Sequence, residues 1–274
     1  MPGIGYAGRR GTCSVRAVSP GLPRGISTRV REEPAALWLV RHGQSEGNVI
    51  RAAAAADAEV LDIPDRDMDV PLSALGARQA EAFGEWLRER PAEDRPDVVL
   101  SSPYRRAADT AASLVRTAKL PIPIVLDEQL RERDLGMMDL LTTRGFTARF
   151  PEEAAHRSRL GKFYYRPPGG ESWTDVGLRC RSLRESPSRE YAGRRVLMVT
   201  HEVVIIMIRY LLEVLDERGA LALSEQAAIA NCSLTAYELD EDGRLVPETF
   251  AWTAPLEETG VPVTDQPDAP VASR

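Results

Sequence analysis

Two histidines close two short apolar runs. Leu37-Trp38-Leu39-Val40 ends in Arg41-His42-Gly43, and Val196-Leu197-Met198-Val199-Thr200 ends in His201-Glu202. The chain has 3 histidines in all, so two in equivalent settings form a pattern. An imidazole can bind, shuttle a proton or attack an electrophile. Arg41 beside it is a fixed cation whose planar fork suits phosphate oxygens. Gly43 lets the backbone turn sharply or approach a ligand closely. For the first stretch taken alone, a polar strand end with a satisfied histidine is an equal alternative.

The elements that must position these groups follow from the apolar pattern. A continuous apolar run closed by polar residues and Gly reads as a strand buried on both faces. Ligands of open parallel sheets sit beyond the carboxyl ends of the strands. Two adjacent parallel strands would therefore bring His42 and His201 to one sheet edge. Residues 97–100 and 123–126 read as further strands. Residues 233–239 alternate like a strand, and Asp242-Gly243 makes a hairpin turn to a last strand near 244–251. Ala52 to Ala56 forms a helical turn or loop. Ser73 caps a helix on which Leu75, Gln79, Ala82, Phe83 and Trp86 recur at helical spacing. Pro103 suits the first position of another helix after a Ser cap. Ser172-Trp173-Thr174-Asp175 reads as a capping box. The helix it opens is expected to turn Val176, Leu178, Cys180 and Leu183 towards the sheet, and another runs from Val203 to Leu215.

At 274 residues the chain is long enough for one large α/β domain. A net charge of −6 argues against a general nucleic-acid binder. Cys13, Cys180 and Cys232 match neither a disulfide framework nor a zinc spacing. No run of 18 apolar residues suggests a membrane span. Only Lys119 and Lys162 among the 35 basic residues are lysines, which reads as coding bias. Residues 1–33 carry 6 Arg against Glu32 and Glu33 and lack an apolar period. They read as a disordered extension without a secretory signal. Residues 34–252 are expected to form the domain, and residues 253–274, rich in Pro, Asp and Glu, a disordered tail. A cytoplasmic location is expected.

Four separate motifs carry a resemblance. Leu39-Val40-Arg41-His42-Gly43 is followed by Ser45 and Asn48, and then by Asp69-Val70-Pro71-Leu72-Ser73 through Gly76, Gln79 and Ala80. Ser101-Ser102-Pro103-Tyr104-Arg105-Arg106-Ala107 and Leu130-Arg131-Glu132 come next. Together they resemble the histidine phosphatase superfamily, the phosphoglycerate mutase-like proteins, in its phosphatase branch. The resemblance implies a three-layer α/β/α sandwich with a mostly parallel sheet and a helical lid insertion at about 137–171. It implies that His42 attacks phosphorus, and that Arg41, Arg106 and His201 hold the phosphoryl oxygens. Asn48 and Ser45 add hydrogen bonds, and Glu132 donates the proton to the leaving group. Arg105 is the alternative to Arg106, as a solvated helix cation. No metal and no cofactor are implied. Many members continue with aromatic-Gly-x-x-Glu/Gln-Gly where Leu135-Gly136-Met137-Met138-Asp139-Leu140 stands, which counts against the glycolytic mutase branch. Glu202 stands where Gly often follows the second histidine; its backbone N–H can still reach a phosphate.

The insertion holds Arg144, Arg149, Arg157, Arg159, Lys162 and Arg166 against Glu152 and Glu153. This basic excess reads either as a solvated face or as a lid for the non-reacting part of an anionic substrate. Gly161 to Ser172 resembles the Arg-x-Pro-x-Gly-Glu-Ser stretch of fructose-2,6-bisphosphatase domains. Arg133, Lys162, Tyr165, Arg166 and Glu202 are the candidate substrate contacts; His156 reads as a surface residue. The expected partner is a small phosphorylated substrate, with no nucleic acid and no membrane; a homodimer is left open. Three functions are compatible with the residues: a phosphomonoesterase of small metabolites, a 2,3-bisphosphoglycerate-dependent mutase, and a catalytically quiet phospho-ligand binder.

Overall fold

The structure, a computed structural model, describes residues 33–226 and 229–266. Six strands form one sheet: β1 (Ala36–Arg41), β2 (Val98–Ser101), β3 (Ile124–Leu126), β4 (Arg195–Thr200), β5 (Leu234–Leu239) and β6 (Leu245–Trp252). Their order is β3-β2-β4-β1-β5-β6. The first four are mutually parallel, and β5 and β6 run antiparallel at one edge. The helices are α1 (Glu46–Ala53), α2 (Ala74–Glu89), α3 (Arg105–Ala118), α4 (Thr143–Arg149), α5 (Pro151–Tyr164), α6 (Trp173–Glu190), α7 (Glu202–Leu212), α8 (Glu217–Gln226) and α9 (Ala254–Glu258).

Alternation along the strands sorts the core into two layers. Trp38, Val40, Val99, Leu197 and Val199 pack on Phe83 and Leu87 of α2 and on Ala107, Ala111 and Leu114 of α3. Leu37, Leu39, Leu100, Val196 and Met198 pack on Val176, Cys180 and Leu183 of α6 and on Val204 and Met207 of α7. With helices on both faces, the central strands have no solvent side, which is why they read as unbroken apolar runs. The result is the expected three-layer sandwich, a mixed sheet whose larger part is parallel.

Several local expectations need correction. Leu178 is 63% exposed, because positions 176, 180 and 183 share one helical face and 178 lies opposite. The third strand is found where it was expected, as an edge strand that leaves Val125 and Leu126 exposed. Helix α3 begins at Arg105 with Tyr104 at its N-cap, so Pro103 lies before the helix. Helix α7 ends at Leu212. The tail expected from residue 253 is built at least to Gln266. Leu256 of α9 is fully buried against Ala80 and Cys232, an apolar anchor that the polar composition around it conceals. The disorder expected for residues 1–33 falls outside the described residues except at Glu33. The capping box is present: Ser172 Oγ accepts from the Asp175 amide (3.1 Å), and Asp175 Oδ2 from the Ser172 amide (2.8 Å).

The lid helices α4 and α5 have a small core of their own, Met138, Leu141, Phe146 and Tyr165. Among the described residues no helix is long and apolar enough to cross a membrane.

Candidate active site

β1 and β4 end level, with Arg41 paired to Thr200. The His42 amide extends the ladder to the Thr200 carbonyl (2.9 Å). The rings of His42 and His201 then stand 5.1 Å apart at 59°, both fully buried. His42 Nδ1 lies 2.7 Å from the carbonyl oxygen of Gly43. A carbonyl only accepts, so Nδ1 carries the proton and the ring's lone pair lies on Nε2.

The loop after His42 is fixed by side chains from other elements. The Gly43 amide donates to Thr110 Oγ1 (3.0 Å), and the Gln44 amide to Gln79 Oε1 (2.9 Å). Asn231 Nδ2 donates to the His42 carbonyl (3.0 Å). Ser45 caps α1, and its hydroxyl accepts from the Asn48 amide (3.1 Å) while Asn48 Oδ1 accepts from the Ser45 amide (3.0 Å). This pair orients the Asn48 carboxamide at the strand end.

Two arginines flank the histidines. Arg41 is fully buried; its Nη1 donates to the Ile229 carbonyl (2.6 Å) and its Nη2 to the Gln266 carbonyl (2.5 Å). Arg106 enters from the first turn of α3. Its Nη1 donates to the Asp67 carbonyl (2.5 Å) and lies 3.2 Å from Asp67 Oδ1. Its guanidinium lies over the Tyr104 ring at 5.2 Å. Tyr104 in turn meets His201 edge-on at 5.4 Å. Burial, and then the charges of Asp67 and Glu132, push the Tyr104 hydroxyl up to about 12.

Glu132 completes the group. Its Oε1 accepts from the Arg133 amide (2.6 Å) and its Oε2 lies 3.9 Å from His201 Nδ1. His201 Nε2 lies 2.9 Å from Ser102 Oγ. The arrangement supplies a nucleophilic nitrogen, two guanidinium groups, an amide donor and a carboxyl that can exchange a proton. Among the described residues, no group of three or more His, Cys, Asp or Glu side chains is placed to hold a metal.

The family model of the histidine phosphatase superfamily (branch 1) matches residues 37–250. The chain belongs to that superfamily. A bifunctional protein of Mycobacterium tuberculosis is 32% identical over 224 residues, 81% of this chain and 56% of that protein. The chain thus spans little more than half of that relative's length. A 2,3-bisphosphoglycerate-dependent phosphoglycerate mutase of Gloeobacter violaceus is 33% identical over 215 residues, 76% of this chain and 88% of the mutase. Among solved structures, a mycobacterial glucosyl-3-phosphoglycerate phosphatase superposes with a TM-score of 0.62 at 28% identity, covering 79% of this chain and 98% of that one.

In this histidine phosphatase superfamily member, the fold brings His42, Arg41, Arg106, Glu132, His201, Ser45 and Asn48 to one end of the sheet. The lid candidates are spread more widely. Arg133 is buried, with Nε on the Glu171 carbonyl (2.6 Å) and Nη2 on the Tyr165 carbonyl (3.3 Å). Lys162 Nζ donates to Ser224 Oγ (3.3 Å) and lies over the Trp173 ring at 4.8 Å. Glu202, at the start of α7, is close enough to act on the Lys162 charge. Tyr165 belongs to the lid core, and its hydroxyl donates to Glu153 Oε2 (2.8 Å). Arg166 reaches outward, with Nε on Asp175 Oδ2 (2.7 Å) in the first turn of α6.

Sequence reasoning missed Asp67, Ser102, Tyr104, Thr110, Asn231 and Gln266. Ser102 and Tyr104 lie inside the Arg106 motif and could have been read from its place at a strand end. Asp67 opens a one-turn 3-10 helix, and Asn231 and Gln266 lie in irregular stretches; none of these has a spacing that carries a signal.

Proposed function

We propose that this chain hydrolyses phosphomonoesters of small metabolites through a phosphohistidine at His42, without a metal. The observation that carries the reading is the bond from His42 Nδ1 to the Gly43 carbonyl. It directs the lone pair on Nε2 for attack on phosphorus, while the P–O bond to the leaving alcohol breaks. Arg41, Arg106 and His201 neutralise the charge that spreads over the equatorial oxygens. Asn48, oriented by Ser45, adds a neutral donor. Glu132 gives its proton to the departing oxygen. Its carboxylate then takes a proton from the water that attacks the phosphohistidine, and His42 leaves.

The lid supports an anionic leaving group. Arg133, Arg157 and Lys162 lie within mutual electrostatic reach. Burial, and then Arg157, lower Arg133 to about 10; burial, with Arg133 and Arg157 against Glu202, lowers Lys162. A carboxylate or second phosphate on the substrate relieves that repulsion. Substrates with a second anionic group, phosphorylated hydroxy acids among them, are therefore favoured over those without one.

The test is rapid-quench labelling with a phosphorylated hydroxy acid, in excess chelator. The expected result is an acid-labile phosphoenzyme that turns over and is absent in His42→Ala. Loss of activity on chelation, restored by a divalent ion, overturns the metal-independent reading. The identity to a mutase favours a second reading, phosphoryl transfer. It is tested by adding 2,3-bisphosphoglycerate and following exchange of phosphoglycerate isomers rather than release of phosphate.

A further inference from the structure

The last described stretch of the chain runs into the phosphate site. After α9 the backbone turns at Gly260, whose φ of +68° suits a residue without a side chain. The Pro262 carbonyl accepts from Gln79 Nε2 (2.9 Å). Thr264 is held at three points. Its carbonyl accepts from the Asn231 amide (2.8 Å), and its Oγ1 accepts from Gln79 Nε2 (2.9 Å) and donates to Asn231 Oδ1 (2.9 Å). Two residues on, the Gln266 carbonyl oxygen accepts from Arg41 Nη2 (2.5 Å) and from Asn48 Nδ2 (3.4 Å). The Gln266 side chain accepts from Gln44 Nε2 (3.2 Å).

A carbonyl oxygen thus sits on two donors that a phosphoryl oxygen would need. Both oxygens only accept and carry negative charge, so they compete for that edge of the Arg41 guanidinium. The anchors of the stretch, Gln79, Asn231 and Thr264, hold it by bonds that no substrate is needed to complete.

We propose that residues 262–266 are an intramolecular inhibitor that occupies part of the phosphate site and that a phosphorylated ligand displaces. The inference rests on reading Arg41 and Asn48 as phosphate ligands. A binding-competent site populated only part of the time weakens apparent affinity by that fraction.

The experiment compares the full chain with a chain ending at Val261, with inorganic phosphate as the probe. Phosphate is expected to bind the shortened chain about tenfold more tightly, an effect of the size that a lost charge-assisted hydrogen bond produces. In the full chain, added phosphate is expected to speed hydrogen exchange at the Asn231 amide, which the Thr264 carbonyl protects. Thr264→Ala should move both readouts in the same direction by less, and it serves if the shortened chain does not fold. Unchanged or weaker phosphate binding in folded variants overturns the proposal. So does slower exchange at Asn231 on adding phosphate, which would mean the stretch closes over the ligand. If phosphate affinity rises but neither chain turns over any phosphomonoester, the inhibitor stands and the hydrolase reading falls. Turnover with no change in phosphate affinity has the opposite meaning.

Discussion

Gly43 and Gly76 meet backbone to backbone. A Cβ on Gly43 would lie 2.5 Å from the Gly76 carbonyl oxygen, and a Cβ on Gly76 would lie 2.0 Å from the Gln44 carbonyl oxygen. The loop that carries His42 therefore rests directly on the first turn of α2. Gly76 is helical, where Ala would ordinarily stabilise by about 0.5–1 kcal/mol. Here the contact reverses the sign. Gly76→Ala is expected to lower Tm and to reduce kcat/KM by about 10² or more, since an ångström of misplacement near a reacting group costs that much. A variant at least as stable as the parent, with normal kcat/KM, would show that the loop does not depend on this contact.

Glu132 should matter in proportion to the basicity of the leaving group. A sugar or acid alkoxide needs a proton, whereas a nitrophenolate departs without one. Glu132→Gln is expected to slow phosphoenzyme formation from an alkyl phosphate by about 10²–10⁴, and from an aryl phosphate far less. The measurement is the first step by rapid quench, because on the proposed mechanism Glu132 also serves the hydrolysis that follows. Equal losses on both substrates would return Glu132 to a phosphate-positioning role, with Asp134 and Glu202 the next donors to test.

Asp67 places a carboxylate on Arg106, on an ion pair of 3.2 Å whose acidic partner is 40% exposed. On the proposed mechanism a phosphoryl group must share or replace it. Because partly exposed pairs are worth about 0–1 kcal/mol, Asp67→Asn is expected to lower KM for a phosphomonoester by about two- to fivefold with little change in kcat. Steady-state kinetics at fixed ionic strength decide it, and a raised KM would mean that Asp67 holds Arg106 in position.

Asp175 ties the lid exit to α6. Burial pushes its carboxyl up, but hydrogen bonds from Arg166 and Ser172 outweigh this and hold it down to about 2, from an ordinary 3.8. A carboxyl depressed in the folded state stabilises above its unfolded pKa and loses that contribution as pH falls through the folded one. Asp175→Asn should therefore lower Tm at neutral pH, and the gap to the parent should shrink between about pH 4 and pH 2. A gap independent of pH would mean that shape rather than charge makes this cap.

The central strands, and the gathering of the candidate groups at their ends, were legible because one physical cause produced both signals. Burial on two faces writes an unbroken apolar run, and its end must be where polar chemistry begins. His42, Arg41, His201 and Glu132 were read that way or through the motif around them. Tyr165 was not, since its place depends on Glu153 and on a lid core that no period announces. Gln266 was illegible for a different reason. It reaches Arg41 and Asn48 through its backbone carbonyl, and backbone oxygens are the same for every residue type. Leu178 was misplaced by an argument from type alone, where the helical repeat already set it apart from Val176, Cys180 and Leu183.

The level ends of β1 and β4 have a consequence for how the chain can vary. His42 and His201 each follow the last ladder pair, Arg41 with Thr200, so their separation is set in whole residues. Adding or deleting one residue in either strand would carry a histidine about 3.3 Å along the sheet and turn it to the opposite layer. No small adjustment of side chains can absorb a step of that size. Substitutions within 36–41 and 195–200 are graded insults, whereas a single-codon insertion or deletion there is all or nothing. Length variation should be accommodated instead in residues 54–57 after α1, ahead of the bridge from Val60 to Leu141, where no strand counts the residues.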